Sequence, residues 1–147
     1  MRISFASVKH TVFINFLKTL IKFAPSATTP MSFVGAGSTA QLSEHIARLG
    51  VKRVMIVTDK PLVELGIVAK AGDVLTAAGV EVTIYDGVLP DPTFELVELG
   101  LLLQRQHQCD CVLAMGGGSA IDTAKTMAAA ATNGGNARAM VGYFKAK

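Results

Sequence analysis

Three consecutive glycines, Gly116, Gly117 and Gly118, are the residues of this chain best placed to do chemistry. Residues 111–115 before them form an apolar run that predicts a buried strand, and residues 121–131 after them predict a helix. A strand, a glycine turn and a helix N-terminus together present backbone N–H groups to a phosphate. The alternative is a tight turn without a ligand, because glycine turns are common in α/β proteins. Residue types alone therefore leave both interpretations open.

Polar side chains accompany this turn. Ser119 is the expected N-cap of the helix, and Asp122 follows it at the spacing of a capping box, with Asp in place of Glu or Gln. The alternative for Asp122 is a carboxylate that only complements the helix dipole. Lys125 lies one turn further along, where it either contacts a ligand or is a solvated helix residue.

A second glycine motif competes with the first. Residues 35–40 read G-x-G-x-x-A, after a strand candidate at 31–34 and before a predicted helix. Asp59 ends a strong apolar strand at 53–58, at roughly the 20-residue spacing at which dinucleotide folds carry an acidic residue. The alternatives are an ordinary strand-to-helix turn for the glycines and a helix N-cap for Asp59.

Apolar segments alternate with helical ones along the chain after residue 30. Strands, each followed by a helix, are predicted at 31–34, 53–58, 80–85 and 111–115. This order predicts an α/β, Rossmann-like fold, with a mostly parallel sheet and helices on both faces. In such sheets ligands bind outside the carboxyl ends of the strands. Asp59, the loop at 86–91 and the Gly116 turn all follow strands, so we expect them to converge on one crevice.

The composition indicates a folded domain with an incompletely covered surface. Of the 147 residues, 50% are hydrophobic and 17% are charged, which is far from the composition of a disordered chain. The apolar excess indicates a surface that another segment or subunit normally covers. The net charge is +3, the basic residues are scattered and aromatic residues make up 6%, which argues against a nucleic-acid platform.

The cysteines and histidines lack the spacing of metal ligands. Cys109 and Cys111 begin a predicted strand, so we expect both side chains on one face, as free thiols in a reducing, cytoplasmic setting. A zinc site needs about four ligands. His10, His45 and His107 show no ligand spacing with one another or with the cysteines. We therefore expect no metal ligands in this chain.

The start of the chain has a composition of its own. Residues 3–23 are apolar and basic and contain no acidic residue. They are compatible with a mitochondrial transit peptide, an interfacial helix or a packing helix, and the helical spacing of the apolar residues favours the last. Lys9 and Lys18 interrupt the run, which argues against a transmembrane span. We expect an N-terminal helix and linker at 1–30, followed by a nucleotide-binding domain at 31–147.

Three segments together resemble the amino-terminal half of iron-containing (group III) alcohol dehydrogenases. They are V-T-D-K at 57–60, Y-D-G-V-L-P-D-P-T at 85–93 and G-G-G-S-A-I-D-T-A-K at 116–125. The last is the most specific, and the order and spacing match from about Phe33 to the end of the chain. The resemblance implies a Rossmann-like domain without the all-helical carboxyl-terminal domain of the family.

The resemblance also implies where NAD binds. The implied cofactor-binding residues are Asp59, Asp91, Gly116, Gly117, Gly118, Ser119, Ala120, Asp122 and Lys125. The glycine turn through Ala120 would hold the pyrophosphate and Asp59 would face the adenosine ribose, while Asp91, commonly Asn in related members, would border the cofactor. A carboxylate accepts two ribose hydroxyls and repels a 2′-phosphate, so NAD is expected rather than NADP. The turn at Gly35 and Gly37 is then structural.

The catalytic half of these enzymes has no counterpart in the chain. The family holds Fe²⁺ with one Asp and three His in its carboxyl-terminal domain, and none of the histidines here matches a ligand position. We therefore expect the nucleotide-binding part of an NAD(H)-linked alcohol or aldehyde dehydrogenase, inactive alone and without catalytic residues. For the full-length family, the resemblance implies a small alcohol or aldehyde substrate and a homo-oligomer.

Two other functions stay open at this point. The chain could be a non-catalytic module that associates with a full-length subunit through its apolar surface. It could also be a different α/β protein that binds a sugar phosphate at the Gly35 turn.

Overall fold

Three parallel strands form the centre of the computed structural model, which describes residues 31–140. The strands are β1 (Arg53–Val57), β2 (Glu81–Tyr85) and β3 (Cys111–Ala114). Their order in the sheet is β2-β1-β3, and both neighbours run parallel to β1. Val57 is level with Tyr85 on one side and with Ala114 on the other, so the three strands end at one edge. This sheet confirms the predicted parallel α/β architecture.

The compact unit that contains this sheet begins at Phe33. The helix and linker expected at 1–30 lie outside the described residues. Within the described part of the chain, no helix has the length and apolar character needed to cross a membrane.

Helices connect the strands and flank them. Within residues 31–140 they are α1 (Ser38–Arg48), α2 (Lys60–Glu64), α3 (Ile67–Ala77), α4 (Phe94–Gln106) and α5 (Gly118–Thr132). A short 3₁₀ turn, Arg138–Met140, follows α5. Gly66 takes a left-handed φ of +69° between α2 and α3, which ends one helix and starts the next.

The strand predicted at 31–34 is wrong. These residues are coil, and the side chain of Val34 is 93% exposed. A short apolar run becomes a strand only where a neighbour takes up its backbone hydrogen bonds. The motif at 35–40 therefore follows no strand, and Gly35 and Gly37 are turn residues with φ of +108° and +81° ahead of α1. The motif thus lacks the preceding strand of a dinucleotide fold, which favours the structural turn.

The sheet separates two apolar clusters. The cluster beside α1 and α3 comprises Ile46, Val54, Ile56, Val68, Leu75, Val80 and Leu113. The cluster beside α4 and α5 includes Met55, Val57, Tyr85, Leu101 and Met127. Successive residues of β1 thus face opposite layers, and every side chain from Val54 to Val57 is completely buried. Helices cover both faces of the sheet, as predicted.

The two cysteines do not share a face, which corrects the prediction. Cys109 packs against the cluster beside α4 and α5, whereas Cys111 packs against the opposite cluster. The alternation of a strand does not reach Cys109, because β3 begins only at Cys111. Both thiols are free and half-buried, and burial raises the pKa of each, so they are protonated at neutral pH.

Tyr85 holds the end of β2 against α4. Its hydroxyl donates a hydrogen bond of 2.6 Å to the carbonyl oxygen of Leu96. Burial, followed by the nearby Asp86 carboxylate, raises the pKa of this hydroxyl, which keeps the donor protonated. A Cβ on Gly87 would lie 2.8 Å from the Tyr85 ring, and a Cβ on Gly100 would lie 2.8 Å from the Met127 sulfur. Glycine at both positions lets the loop after β2 and helix α4 approach the sheet.

Asp110 joins β1 and β3 at the opposite, amino edge of the sheet. Its carboxylate accepts hydrogen bonds from the backbone N–H groups of Lys52 (3.0 Å to Oδ2) and Arg53 (3.0 Å to Oδ1). The hydrogen bond from Lys52 lowers the pKa of Asp110 most, and the one from Arg53 adds to it. The ionised carboxylate therefore stabilises the sheet above the unfolded pKa, and this contribution is lost as the pH falls through the lower folded pKa.

We expect Asp110→Ala to lower the free energy of unfolding by about 1 kcal/mol at pH 7, because two backbone donors lose a charged acceptor at an exposed site. Urea denaturation followed by circular dichroism measures the change, and the penalty should shrink below about pH 4 as the carboxyl protonates in both states. Asp73→Ala, on the exposed side of α3, is the matched control and should change stability by less than about 0.5 kcal/mol. An equal Asp110→Ala penalty at both pH values would contradict the role of the charge.

Candidate functional site

The carboxyl edge of the sheet extends one residue beyond each strand. The Met115 N–H donates to the Val57 carbonyl oxygen at 2.9 Å, and the Thr58 N–H donates to the Tyr85 carbonyl oxygen at 2.9 Å. Three chain segments leave the sheet side by side at this edge: the α2 start, the β2–α4 loop and the glycine turn. The topology thus brings together the regions around Asp59, 86–91 and Gly116, as the sequence predicted.

Gly116 is fixed by packing and by backbone conformation. Its φ is +145°, and a Cβ at this position would lie 2.9 Å from the Ala120 Cβ and 3.6 Å from Leu62 Cδ1. A side chain here would collide with the first turn of α5 and strain the backbone. Ala120, which is 1% exposed, thus serves as a packing partner of the turn.

Gly117 and Gly118 have the opposite surroundings. No described atom lies within 4 Å of a Cβ built on either residue, and both residues are exposed. Gly117 has an ordinary extended backbone, with φ of −81° and ψ of −166°, so its own conformation does not require glycine. The backbone at these two positions is therefore open to solvent in front of helix α5, with space beside it.

Helix α5 begins earlier than expected, and its predicted cap is wrong. The helix starts at Gly118 with Gly117 as N-cap, so Ser119 is the second helical residue. Within the described chain, no side chain caps this helix, which also rules out the capping box of Ser119 with Asp122. The early start is possible because glycine, here Gly117, is tolerated as an N-cap residue even without a side-chain hydrogen bond. The first N–H groups of α5 thus lack a side-chain acceptor beside the exposed glycines.

Asp59 lies against the glycine turn and also caps a helix. Its Oδ1 accepts a hydrogen bond of 3.1 Å from the Leu62 N–H, which makes Asp59 the N-cap of α2. Its other oxygen, Oδ2, is 3.8 Å from the place where a Cβ on Gly116 would lie. The capping interaction holds the carboxylate in one orientation, with Oδ2 beside the turn. The N-cap interpretation and the predicted neighbourhood of Asp59 and Gly116 are both correct.

Asp122 lies at a cavity of about 370 Å³ between the starts of α4 and α5. Thr123 and Thr126 of α5 and residues 92–95 and 97 around the start of α4 complete the lining. The Thr123 Oγ1 is buried and has no hydrogen-bond partner within the described residues. At the rim, the pKa of Glu95 is lowered by its own backbone N–H and then by the Thr93 hydroxyl. The lining is mostly apolar and includes three threonines and two carboxylates, those of Asp122 and of Glu95, which pairs with Arg138.

Asp91 and Lys125 are both exposed. Asp91 has a left-handed φ of +53°, a conformation that Asp and Asn tolerate better than other side chains. It lines neither the cavity at Asp122 nor the one described next. Lys125 forms no ion pair in the part of the chain that the structure describes, although Asp122 lies one turn away. Neither side chain takes part in the contacts between Asp59 and the glycine turn.

A second cavity, of about 290 Å³, lies beside Asp59, and no motif in the sequence indicated it. Its lining residues are Lys60, Pro61, Asp86, Gly87, Val88 and Leu89. A bridge between Asp59 and Gly87 and a 3.2 Å hydrogen bond from the Val88 N–H to the Thr58 carbonyl oxygen hold its two walls together. The sequence could have indicated this cavity only by the position of its lining residues, which directly follow β1 and β2.

Comparisons with known proteins agree with this geometry. Residues 29–147 match the family described as iron-containing alcohol dehydrogenase. The chain is 40% identical over 102 residues to lactaldehyde reductase of Escherichia coli (strain K12), and this match covers 69% of the chain and 27% of that protein. It is 34% identical over 106 residues to an NAD-dependent methanol dehydrogenase of Bacillus methanolicus, which covers 72% of the chain and 28% of that protein.

Solved structures give the same result. The crystal structure of a 1,3-propanediol oxidoreductase superposes with a TM-score of 0.65 at 41% identity, over 68% of this chain and 26% of the other. The chain spans just over a quarter of the length of these relatives. The parallel sheet, the glycine turn after β3 and the match over residues 29–147 lead to one conclusion: the chain belongs to the iron-containing alcohol dehydrogenase family.

Proposed function

We propose that the domain described here binds NAD(H) at the carboxyl edge of its sheet, as the nucleotide-binding part of an alcohol or aldehyde oxidoreductase. The observation that carries the proposal is the open backbone at Gly117 and Gly118 beside a carboxylate held by capping at Asp59. The Bacillus methanolicus relative, which is named as NAD-dependent, supports a nicotinamide dinucleotide as the ligand.

Each part of the site has a distinct role in this proposal. The uncapped N–H groups at the start of α5 and the glycine turn hold the pyrophosphate, aided by the helix dipole. Asp59 Oδ2 accepts the hydroxyls of the adenosine ribose while Oδ1 stays on the Leu62 N–H. Bound NAD(H) supplies the hydride acceptor or donor, and the residues of this chain bind and orient it. Asp91, Ser119, Asp122 and Lys125 remain predicted contacts.

Iron does not fit the described residues. They contain no group of three or more His, Cys, Asp or Glu side chains arranged to hold a metal ion. The role proposed for this domain is therefore nucleotide binding alone. A small alcohol or aldehyde is the proposed substrate of the whole protein, and a homo-oligomer its proposed assembly.

Gly117→Val tests the pyrophosphate cradle. We expect it to weaken NADH binding at least tenfold, roughly 1.4 kcal/mol, because the side chain would occupy the space of the phosphate. The fold should tolerate the change, since a Cβ on Gly117 meets no described atom within 4 Å. Titration of the full chain with NADH, followed by fluorescence or calorimetry, measures the affinity. Gly72→Ala in α3, whose Cβ would make only an ordinary 3.9 Å contact with Val82, is the control. An unchanged NADH affinity in Gly117→Val would contradict pyrophosphate binding at the glycine turn.

Asp59→Asn separates the capping role of Asp59 from its proposed ribose contact. Asn caps a helix as well as Asp does, so thermal stability should hardly change, whereas Asp59→Ala should cost about 1 kcal/mol. Loss of the negative charge should weaken NADH binding and relieve the repulsion of a 2′-phosphate. We therefore expect the affinity ratio of NADH to NADPH, measured by parallel titrations, to fall in Asp59→Asn. A ratio equal to that of the unmodified chain would refute the ribose contact.

A second candidate function is a non-catalytic module that associates with a full-length subunit. Apolar exposure on α4 favours it, because Leu99 and Leu102 lie one turn apart and are 58% and 52% exposed. Such a surface is normally covered by a partner.

Size-exclusion chromatography with light scattering tests this association. We expect the chain to co-elute with a full-length family member, and the double variant Leu99→Glu, Leu102→Glu to elute alone, because charges on α4 would disrupt an apolar interface. Circular dichroism serves as the control that the variant is folded. A wild-type chain that stays a separate, well-behaved monomer in the mixture would count against the module.

A further inference from the structure

Asn133 ends helix α5, and its side chain holds the last turn of that helix. The Asn133 Nδ2 donates hydrogen bonds to the Ala129 carbonyl oxygen at 2.8 Å and to the Thr132 Oγ1 at 3.1 Å. The Ala129 carbonyl is among the last four of the helix, which the helix itself leaves without an N–H partner. The carboxamide of Asn133 therefore acts as a donor that completes the carboxyl-terminal end of α5.

The turn after α5, residues 134–138, is bound to helix α4. The Arg105 side chain donates a hydrogen bond to the Gly135 carbonyl oxygen, and the Glu98 Oε1 accepts one of 2.8 Å from the Ala137 N–H. Ala137 is 1% exposed and packs in the cluster beside α4 and α5. The conformation at the end of α5 thus determines whether this turn reaches its partners on α4.

The residue after Asn133 leaves its carboxamide open to attack by the backbone. The chain has three asparagines, at 15, 133 and 136, and only Asn133 is followed by glycine. Gly134 has no Cβ that would hinder the approach of its own nitrogen to the preceding side chain. It is exposed, and a Cβ built on it meets no described atom within 4 Å, so packing adds no hindrance.

We propose that Asn133 is a site of spontaneous deamidation in the folded chain. The Gly134 nitrogen attacks the Asn133 carboxamide carbon, the bond from this carbon to Nδ2 breaks, and ammonia leaves with the Gly134 amide proton. A five-membered cyclic imide remains in the chain. Water then opens one of its two carbonyls, which gives Asp or isoaspartate. The net change is the loss of ammonia and the gain of water, without an oxidant or an enzyme.

Both products weaken the contact of the turn with α4. A carboxylate at position 133 cannot donate to the Ala129 carbonyl oxygen, and its charge lies at the negative end of the helix dipole. Isoaspartate also adds a methylene group to the main chain before Gly134. The added length displaces the Gly135 N–H, which donates to the Ala130 carbonyl oxygen. We therefore expect residues 134–138 to separate from α4 more readily after the modification.

Peptide mapping tests the site of the reaction. The full chain is kept folded in mildly alkaline buffer and then digested with trypsin, which releases residues 126–138 as one peptide that contains Asn133 and Asn136. We expect mass spectrometry to show deamidation at Asn133 at least about tenfold faster than at Asn136, because Ala137 presents a Cβ and a hydrogen-bonded N–H. Asn133→Gln should abolish the change at position 133 and leave the rate at Asn136 unaltered.

Asn133→Asp tests the consequence for the fold. We expect its melting temperature at pH 7 to be about 2–5 °C lower, because one hydrogen bond is lost and an unfavourable charge is added. The difference should shrink below about pH 4, where the protonated carboxyl can again donate to the Ala129 carbonyl oxygen. The matched control is Asn136→Asp, which adds the same charge but keeps the acceptor of the Ala139 N–H and should hardly change the melting temperature.

The outcomes are independent of the nucleotide site. Helix α5 has 15 residues, so about 22 Å separate Asn133 from the glycine turn, and Asn133→Asp should leave NADH binding unchanged. Equal deamidation rates at Asn133 and Asn136 would overturn the proposal. So would an intact Asn133 in the folded chain after a time in which the urea-unfolded chain is converted. An equal melting temperature in Asn133→Asp and the unmodified chain would refute the effect on the turn.

Discussion

The backbone of β1 is hydrogen-bonded on both edges and covered by helices on both faces, and the rest of the domain is arranged around it. Val54, Met55, Ile56 and Val57 have no exposed surface, so their backbone groups can find partners only in β2 and β3. The parallel register then brings all three carboxyl ends level. The loops that follow the three strands therefore begin side by side, which brings residues distant in sequence together.

The glycines of the turn and the two carboxylate oxygens of Asp59 each divide into a packed or hydrogen-bonded member and an open one. Gly116 is glycine because Ala120 and Leu62 leave no room, whereas Gly117 and Gly118 are surrounded by open space. In Asp59, one oxygen is engaged by the Leu62 N–H and the other is beside the turn. In each pair a packed or hydrogen-bonded atom thus lies beside an open one, and the first restricts the motion of the second. For the proposed nucleotide site, such preorganisation reduces the entropy cost of binding.

The sequence predicted the parts of the fold that depend on local pattern. The strands near 53–58, 80–85 and 111–115 were correct because apolar runs bounded by turns report burial directly. The strand at 31–34 failed because strand formation depends on a neighbour that a sequence does not display. The prediction that Cys109 and Cys111 share a face was wrong because β3, and with it the alternation of side chains, begins only at Cys111.

The same distinction applies to the site. Parallel topology was enough to predict that Asp59 and the Gly116 turn would meet, since carboxyl ends share an edge. The Ser119 cap failed because glycine allowed α5 to start earlier. The orientation of Asp122 toward α4 and the cavity at Lys60 and Asp86 depend on how helices and loops pack in three dimensions. No spacing rule within one segment encodes that packing.

The Asp110 carboxylate, at the amino edge, has a consequence for how this domain can change. It connects β1 to β3 about 20 Å from the glycine turn, because six residues of extended chain separate Asp110 from Gly116. Energetic effects of sites this far apart are generally additive. Substitutions at the amino edge can therefore raise or lower the stability of the sheet while the geometry of the opposite edge is preserved. Substitutions at the amino ends of the strands thus change stability, while those at the carboxyl ends change the proposed nucleotide site.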